Sequence, residues 1–215
     1  MSTEPSTGEL RLVFGVRQPA PEAALAEFFR PLSPPHHEPW HWGLRHPWRD
    51  PPADTIPADC GLVLLLARSE GAAVVVHEVE AWPEGFQLTL RVRARPGYAE
   101  AIVDDPIMTY EPYARRRWEH GKMPPPEQLR FGIELPGGAR VTNLSPGAPP
   151  GPFLTEARAA GMRGEWVYRY SVSPLPGSGP MWIVCEWPRL SIPISGAEID
   201  AAVVRDVAER AIRPW

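Results

Sequence analysis

Lysine is almost missing from this chain of 215 residues, where Lys122 stands alone among arginines. Arginine makes planar bidentate contacts that an ammonium cannot, but so general a bias fits a GC-rich coding sequence better than a chemical requirement. Cysteine is scarce as well. Cys60 and Cys185 lack the spacing of a zinc or redox pair, so both are expected to be reduced, apolar thiols in the interior. No apolar run approaches the ~20 residues that cross a bilayer, and MSTEPSTGELRLVFGV lacks the basic start of a signal peptide. These absences predict a cytoplasmic protein with no membrane partner. Excess positive charge is absent too: the net charge of -4 and pI near 5.9 speak against nucleic acid bound over the whole surface. There is no G-x-S-x-G elbow, glycine-rich phosphate loop or dinucleotide fingerprint, and no catalytic residue is assigned.

What the chain has in quantity is proline, 29 residues, and tryptophan, nine. Interior prolines remove a backbone donor and clash with the preceding helical turn, so this composition disfavours long helices. A chain of this size buries roughly 70% of the surface its unfolded form exposes and needs neither disulfide nor metal to fold.

Apolar residues alternate along much of the chain. In EGFQLTLRVRAR, Phe86, Leu88, Leu90, Val92 and Ala94 alternate with Gln87, Thr89, Arg91, Arg93 and Arg95, the period of a strand with one buried face. A partner strand is expected around Val74–Val79, with Val75, His77 and Val79 on one face, and WPEG as the hairpin turn. GLVLLLAR, Gly61–Arg68, is short and continuously apolar, as in a central strand buried on both faces. LRFGIELPGGARVTNL predicts a hairpin turning at Gly137-Gly138, because glycine supplies the positive φ such turns need. EWVYRYSVS and MWIVCEW, joined by PLPGSGP, are expected to form a further hairpin. Near the N-terminus, ELRLVFGV suggests an outer strand and PEAALAEFF a short helix starting at Pro21.

At the C-terminus, Ser195 and Glu198 have the capping-box spacing. They predict a helix over 196–213, with Ile199, Ala202, Val203, Val207 and Ala211 on one stripe. Seven or so strands with few helices predict an all-β, mainly antiparallel, immunoglobulin-like β-sandwich with long loops and one C-terminal amphipathic helix. Residues 1–60 are expected to pack on a core unit of 61–215. Within that unit, 96–128 is an insertion and 145–165 a second loop rich in proline and glycine.

Three stretches carry chemistry. PHHEPWHWGLRHPWRDPP, Pro35 to Pro52, holds His36, His37, His41 and His46 beside Glu38, donors enough for zinc. Pro39 opposes the helical spacing that would aim His37 and His41 together, so a stiff aromatic loop without cofactor is preferred to a zinc site. Arg115, Arg116 and Arg117 beside Trp118 have the ingredients of a single-strand nucleic-acid surface. Asp104, Asp105, Glu111 and Glu119 lie close in sequence and neutralise it, which makes nucleic acid the lesser reading. Trp182 and Trp187, an odd number of positions apart, fall on opposite faces of one strand, and an exposed one would anchor a partner. His77, in a valine-rich strand, reads as a hydrogen-bonded structural histidine, since no orienting partner for a base is evident.

AWPEGFQLTLRVRAR, LRFGIELPGG, PLPGSGPMWIVCEWP and EIDAAVVRDVAERAIRPW resemble an uncharacterised family of small β-rich proteins from GC-rich actinobacteria, over about Gly61 to Trp215. The resemblance implies a single β-rich unit and carries over no site residues. The expected role is a non-catalytic module that binds a protein partner or a second copy of itself. The alternatives are a metal-assisted hydrolase using His36–His46 and a single-stranded nucleic-acid binder using 114–122.

Overall fold

A computed structural model describes residues 28–29, 51–98, 129–144, 151–162 and 164–215. Among the described residues are ten strands: β1 (Ala58–Asp59), β2 (Leu64–Arg68), β3 (Ala72–Trp82), β4 (Gly85–Ala94), β5 (Arg130–Glu134), β6 (Arg140–Thr142), β7 (Phe153–Met162), β8 (Glu165–Ser173), β9 (Pro180–Trp187) and β10 (Ile192–Asp200). One α-helix, α1 (Ala202–Ala208), follows. All pairings among these strands are antiparallel. One sheet runs β1-β3-β4-β8-β7, with β2 beside β1 on the same edge of β3, and the other runs β10-β9-β5-β6.

Apart from the short β1, which pairs with β3, each sheet is assembled from whole hairpins. β3 and β4 turn at Pro83-Glu84 and pair Trp82 with Gly85; β7 and β8 turn at Gly164, whose φ is 87°. The β5–β6 turn uses Gly137 and Gly138, at φ 90° and 84°, as their positions predict. The inward faces meet in one core that includes Leu88, Leu90, Phe131, Ile133, Tyr170, Ile183 and Trp187. Phe131 of β5 stacks on Tyr170 of β8 with centroids 5.0 Å apart, joining the two sheets by a ring contact. β2 lies against β10 along one side and β6 against β7 along the other, while α1 covers the end of β3 with Val204, Val207 and Ala208.

Several expectations are corrected. The helix predicted over 196–213 is confined to Ala202–Ala208, because Ile192–Asp200 is a strand. Ser195 donates its hydroxyl to the Pro193 carbonyl at 2.9 Å, and Glu198 pairs across the sheet with Trp182. The capping-box residues are thus inside a ladder, and long-range pairing with β9 overrides a weak local preference. The helix starts later, after Ala201, where the Asp200 carboxylate at the end of β10 accepts the Ala202 amide at 2.9 Å.

Gly61–Arg68 does not form a doubly buried strand: among the described residues β2 pairs only with β3, and Leu65 is 43% exposed. A continuous apolar run is also what a strand at the corner of two sheets needs. β8 and β9 do not form a hairpin but belong to different sheets; sequence adjacency identified both strands but not their partners. The stretch 145–165 is not all loop, since Phe153–Met162 is strand β7; its Ala- and Gly-rich end conceals the alternation. Of the N-terminal expectations, only Phe28 and Phe29 lie among the described residues, in a turn, while the outer strand near residue 10 and the helix start at Pro21 lie outside them. So does most of the 96–128 insertion.

Candidate functional site

β3 departs from strict alternation at one point. Its register against β4 slips between His77 and Glu80, and Glu78 has φ 49°, a left-handed conformation that non-glycine residues rarely adopt. This β-bulge moves Val79 into the core, 1% exposed, instead of leaving it on the face of Val75 and His77. It also turns two ionisable side chains outward together, as bulges commonly do near functional surfaces.

These side chains enter a network across β3, β4 and β8. His77 Nε2 accepts a hydrogen bond from Arg91 Nε at 2.9 Å, and its Nδ1 lies 3.4 Å from Glu78 Oε1. Glu78 Oε2 accepts from Thr89 Oγ1 at 2.9 Å and lies 3.5 Å from Arg169. Glu165 Oε1 accepts from Arg91 at 2.8 Å and from Arg93 at 3.3 Å. One row further along, Gln87 Nε2 donates to Ser171 Oγ at 3.1 Å, with both side chains buried.

Chemically the arrangement holds charge in place rather than offering it for reaction. With its Nε2 lone pair committed to Arg91, His77 is the neutral, Nδ1-protonated tautomer and has no free acceptor for a substrate proton. Burial pushes its pKa below the ordinary 6.5, helped by Arg91 and Arg169 and opposed by Glu78 and Glu165. Burial raises the Glu78 carboxyl, but the Thr89 hydrogen bond, His77 and Arg169 together hold it below its ordinary value.

A pH dependence follows. The unfolded chain binds a proton at His77 near pH ~6.5, whereas the folded chain resists it until lower pH. The stability His77 contributes is therefore complete above about pH 6.5 and falls as pH drops from there toward the folded value. Urea midpoints at about pH 5 and pH 8 should show a larger acid loss for wild type than for His77→Gln; equal losses would remove His77 as the cause.

The outer face of the four-stranded sheet is different in kind. Gly132 of β5, Val184 of β9 and Gly196 of β10 form one cross-strand row, and Phe28 lies over it. A Cβ on Gly132 would stand 2.7 Å from Phe28 Cε1 and 2.7 Å from Thr142 Cγ2, so the missing side chain is what admits the ring. Phe28 and Phe29 meet edge to face at 5.1 Å, and the Arg140 guanidinium sits 5.2 Å from the Phe28 centroid. Arg140 is itself held by Glu134 at 2.6 Å. Phe28, Phe29 and Val184 are buried there, with Leu144, Trp182 and Ile194 packed around them. Beside them Arg130 bonds Glu186 at 2.8 Å through Nη1, while its buried Nε has no partner among the described residues.

A third surface is apolar and exposed. Ile56 and Ile212 exchange backbone hydrogen bonds at 2.8 and 3.0 Å, which puts their side chains side by side. They are 53% and 58% exposed, and Trp215, three residues on, is 87% exposed.

Of the residues singled out from the sequence, some lie outside the described residues and some within them. His36, His37, His41 and His46 lie outside the described residues, as do Arg115, Arg116, Arg117 and Trp118. Among the described residues, no three His, Cys, Asp or Glu side chains converge as metal ligands. Trp187 is wholly buried in the main core, while Trp182, on the opposite face, is half-buried beside Phe28 and Phe29. Cys60 and Cys185 are free, and burial pushes each thiol up to about 12, so neither is a thiolate nucleophile at neutral pH. Glu78, Arg169, Phe28, Ile56 and Ile212 escaped the sequence reading. Only the adjacent phenylalanines carried a signal, two large rings in otherwise small and polar surroundings.

Comparison with protein-family models, with characterised proteins and with solved structures finds no match.

Proposed function

We propose that this chain is a non-catalytic assembly module whose partner is a second copy of itself, met through the face formed by Ile56, Ile212 and Trp215. The observation that carries this reading is the exposure of Ile56 at 53% and Ile212 at 58%, set side by side by their backbone bridge, with Trp215, three residues further along the chain, at 87%. Tryptophan is enriched among the residues that dominate binding energy, and the Ile56–Ile212 bridge fixes two of the three side chains on a shared backbone frame. The His77 arrangement supports the non-catalytic half, because its acceptor nitrogen is taken.

The scaffold is proposed as a β-sandwich, supported by the Phe131–Tyr170 stack between the sheets. A finer immunoglobulin-like assignment has only strand number behind it, since each sheet is, apart from the short β1, built from whole hairpins. Neither the hydrolase reading through His36–His46 nor the nucleic-acid reading through 114–122 has a supporting observation among the described residues.

Sedimentation of the full chain over a range of concentrations tests the proposal. Wild type is expected to self-associate, and Ile212→Asp with Trp215→Ala to weaken association by about 30-fold, the effect of losing roughly 2 kcal/mol at an interface anchor. A wild type that stays monomeric throughout, or a double variant that associates equally well, would sink it.

A further inference from the structure

The outer face of the six-stranded sheet concentrates positive charge on a chain whose net charge is -4. Strand register sets Arg68 of β2, Arg93 of β4 and Glu165 of β8 in one row, Arg91 in the next, and Arg169 of β8 opposite Thr89 in a third. Val74 and Val92, the neighbours of these positions along β3 and β4, are buried in the core. By the two-residue period of a strand, the rows therefore face outward. Arg95, also exposed, extends the ladder beyond β4, its amide donating to the Gly71 carbonyl at 2.8 Å. Five arginines here meet two carboxylates, Glu78 and Glu165, with Glu70 at the rim in the β2–β3 turn. Asp59 and Glu80 pair at the opposite end of β3, so the face is basic at one end and acidic at the other.

The two carboxylates leave much of this charge unmatched. A single oxygen, Glu165 Oε1, serves both Arg91 at 2.8 Å and Arg93 at 3.3 Å, and Arg169 reaches Glu78 only at 3.5 Å. Arg68 and Arg95 are exposed and have no ion pair among the described residues. Arg91 is held at Nε by His77 and at Nη1 by Glu165. Its planar fork is thus fixed in advance, which lowers the entropy lost when it takes a carboxylate. Arg93, beside it, is 65% exposed.

Spacing and surroundings point to the kind of partner. Arg91, Arg93 and Arg95 follow one another at alternate positions, about 6.8 Å apart, which is also the side-chain repeat of an extended peptide. Leu65, Val75 and Val167 flank Arg91 in its row and offer aliphatic surface to the methylene carbons of glutamate. The rings of β8, Trp166, Tyr168 and Tyr170, are buried on the inner face, so they are not a platform on which nucleic-acid bases could stack.

We propose that this face binds an extended acidic segment of a partner protein, whose alternate glutamates meet Arg91, Arg93 and Arg95 in charge-assisted hydrogen bonds. The surface is separate from the Ile56–Ile212 bridge and does not rest on the self-association proposed there. The test is fluorescence anisotropy of the full chain with a labelled peptide, Glu-Thr-Glu-Thr-Glu-Thr-Glu, at about 50 mM salt, where screening is weak. Wild type is expected to bind, and Arg93→Glu with Arg95→Glu to bind at least about tenfold more weakly; both side chains are exposed, so the fold survives. Arg210→Glu with Arg213→Glu makes the same change of charge at exposed positions outside these rows and should alter affinity less than about twofold. A peptide with the four glutamates in one block should bind about threefold less tightly, because its carboxylates no longer match the strand repeat. The variant with Ile212→Asp and Trp215→Ala should bind as wild type does. No binding by wild type, equal losses in the two arginine pairs, or equal affinity for the blocked peptide would overturn the proposal. Tighter binding of oligothymidylate than of the peptide would assign the face to nucleic acid instead, and a wild-type dimer dissociated by Arg93→Glu with Arg95→Glu would assign it to a second copy.

Discussion

Phe131→Ala is expected to lower the free energy of unfolding by about 3–5 kcal/mol, the range for truncating a fully buried aromatic residue. Phe131 is completely buried on β5, and its ring stacks on Tyr170 of β8 at an interplanar angle of 17°. Tyr170 in turn lies 6.2 Å from Tyr168. Truncation removes the ring burial and a stacking contact of about 0.5–1.5 kcal/mol. It also opens a cavity between two sheets whose hairpins hold their own backbone hydrogen bonds and cannot collapse inward without breaking register. Phe131→Leu, which retains most of the volume, should cost about 1–2 kcal/mol. Guanidinium denaturation of the three proteins measures this. A loss below about 1 kcal/mol for the alanine variant would mean that the sheets are not held together at this ring.

Gly132→Val is expected to destabilise by about 3 kcal/mol, near the top of the range for overpacking. The new side chain meets Phe28, Thr142 and the Val141 carbonyl, all within 3.0 Å of where its Cβ must lie. The ladder hydrogen bonds prevent the backbone from retreating, so the ring has to leave. The consequence is a non-additive pair: Phe28→Ala costs several-fold less in the Gly132→Val background than in wild type, because the contact it removes is already lost. Gly177→Ala is the control, with no heavy atom within 4 Å of its added carbon and an expected change within about 0.5 kcal/mol. Full additivity of Phe28→Ala and Gly132→Val would show that the ring does not sit on this glycine.

Both predictions concern residues that the sequence presents unequally. Phe131 stands in a clear alternation, Leu129, Phe131, Ile133 and Leu135, and its inward direction is legible from that period alone. Gly132, one position on, reads only as a weak point in a strand. Its purpose becomes visible when Phe28, more than a hundred positions earlier, is placed above it. His77 lies between these cases. Its valine-rich setting marks a strand, but the bulge at Glu78 that separates its face from that of Val79 has no turn residue to announce it.

Local pattern by itself determined that the described residues are mainly antiparallel β-sheet, where the β3–β4 and β5–β6 hairpins turn, and that Trp182 and Trp187 point to opposite faces. These features depend on the two-residue period of a strand and on the φ angles glycine supplies, both of which act over a few positions. Only the tertiary structure decided that β8 and β9 part into different sheets, and that Ser195 and Glu198 lie in a strand and not at a helix start. It alone turned the Glu78 bulge outward and brought Phe28 onto Gly132. Each of these is set by contacts between segments distant in sequence, where burying a face or completing a ladder outweighs preferences of less than about 1 kcal/mol per residue.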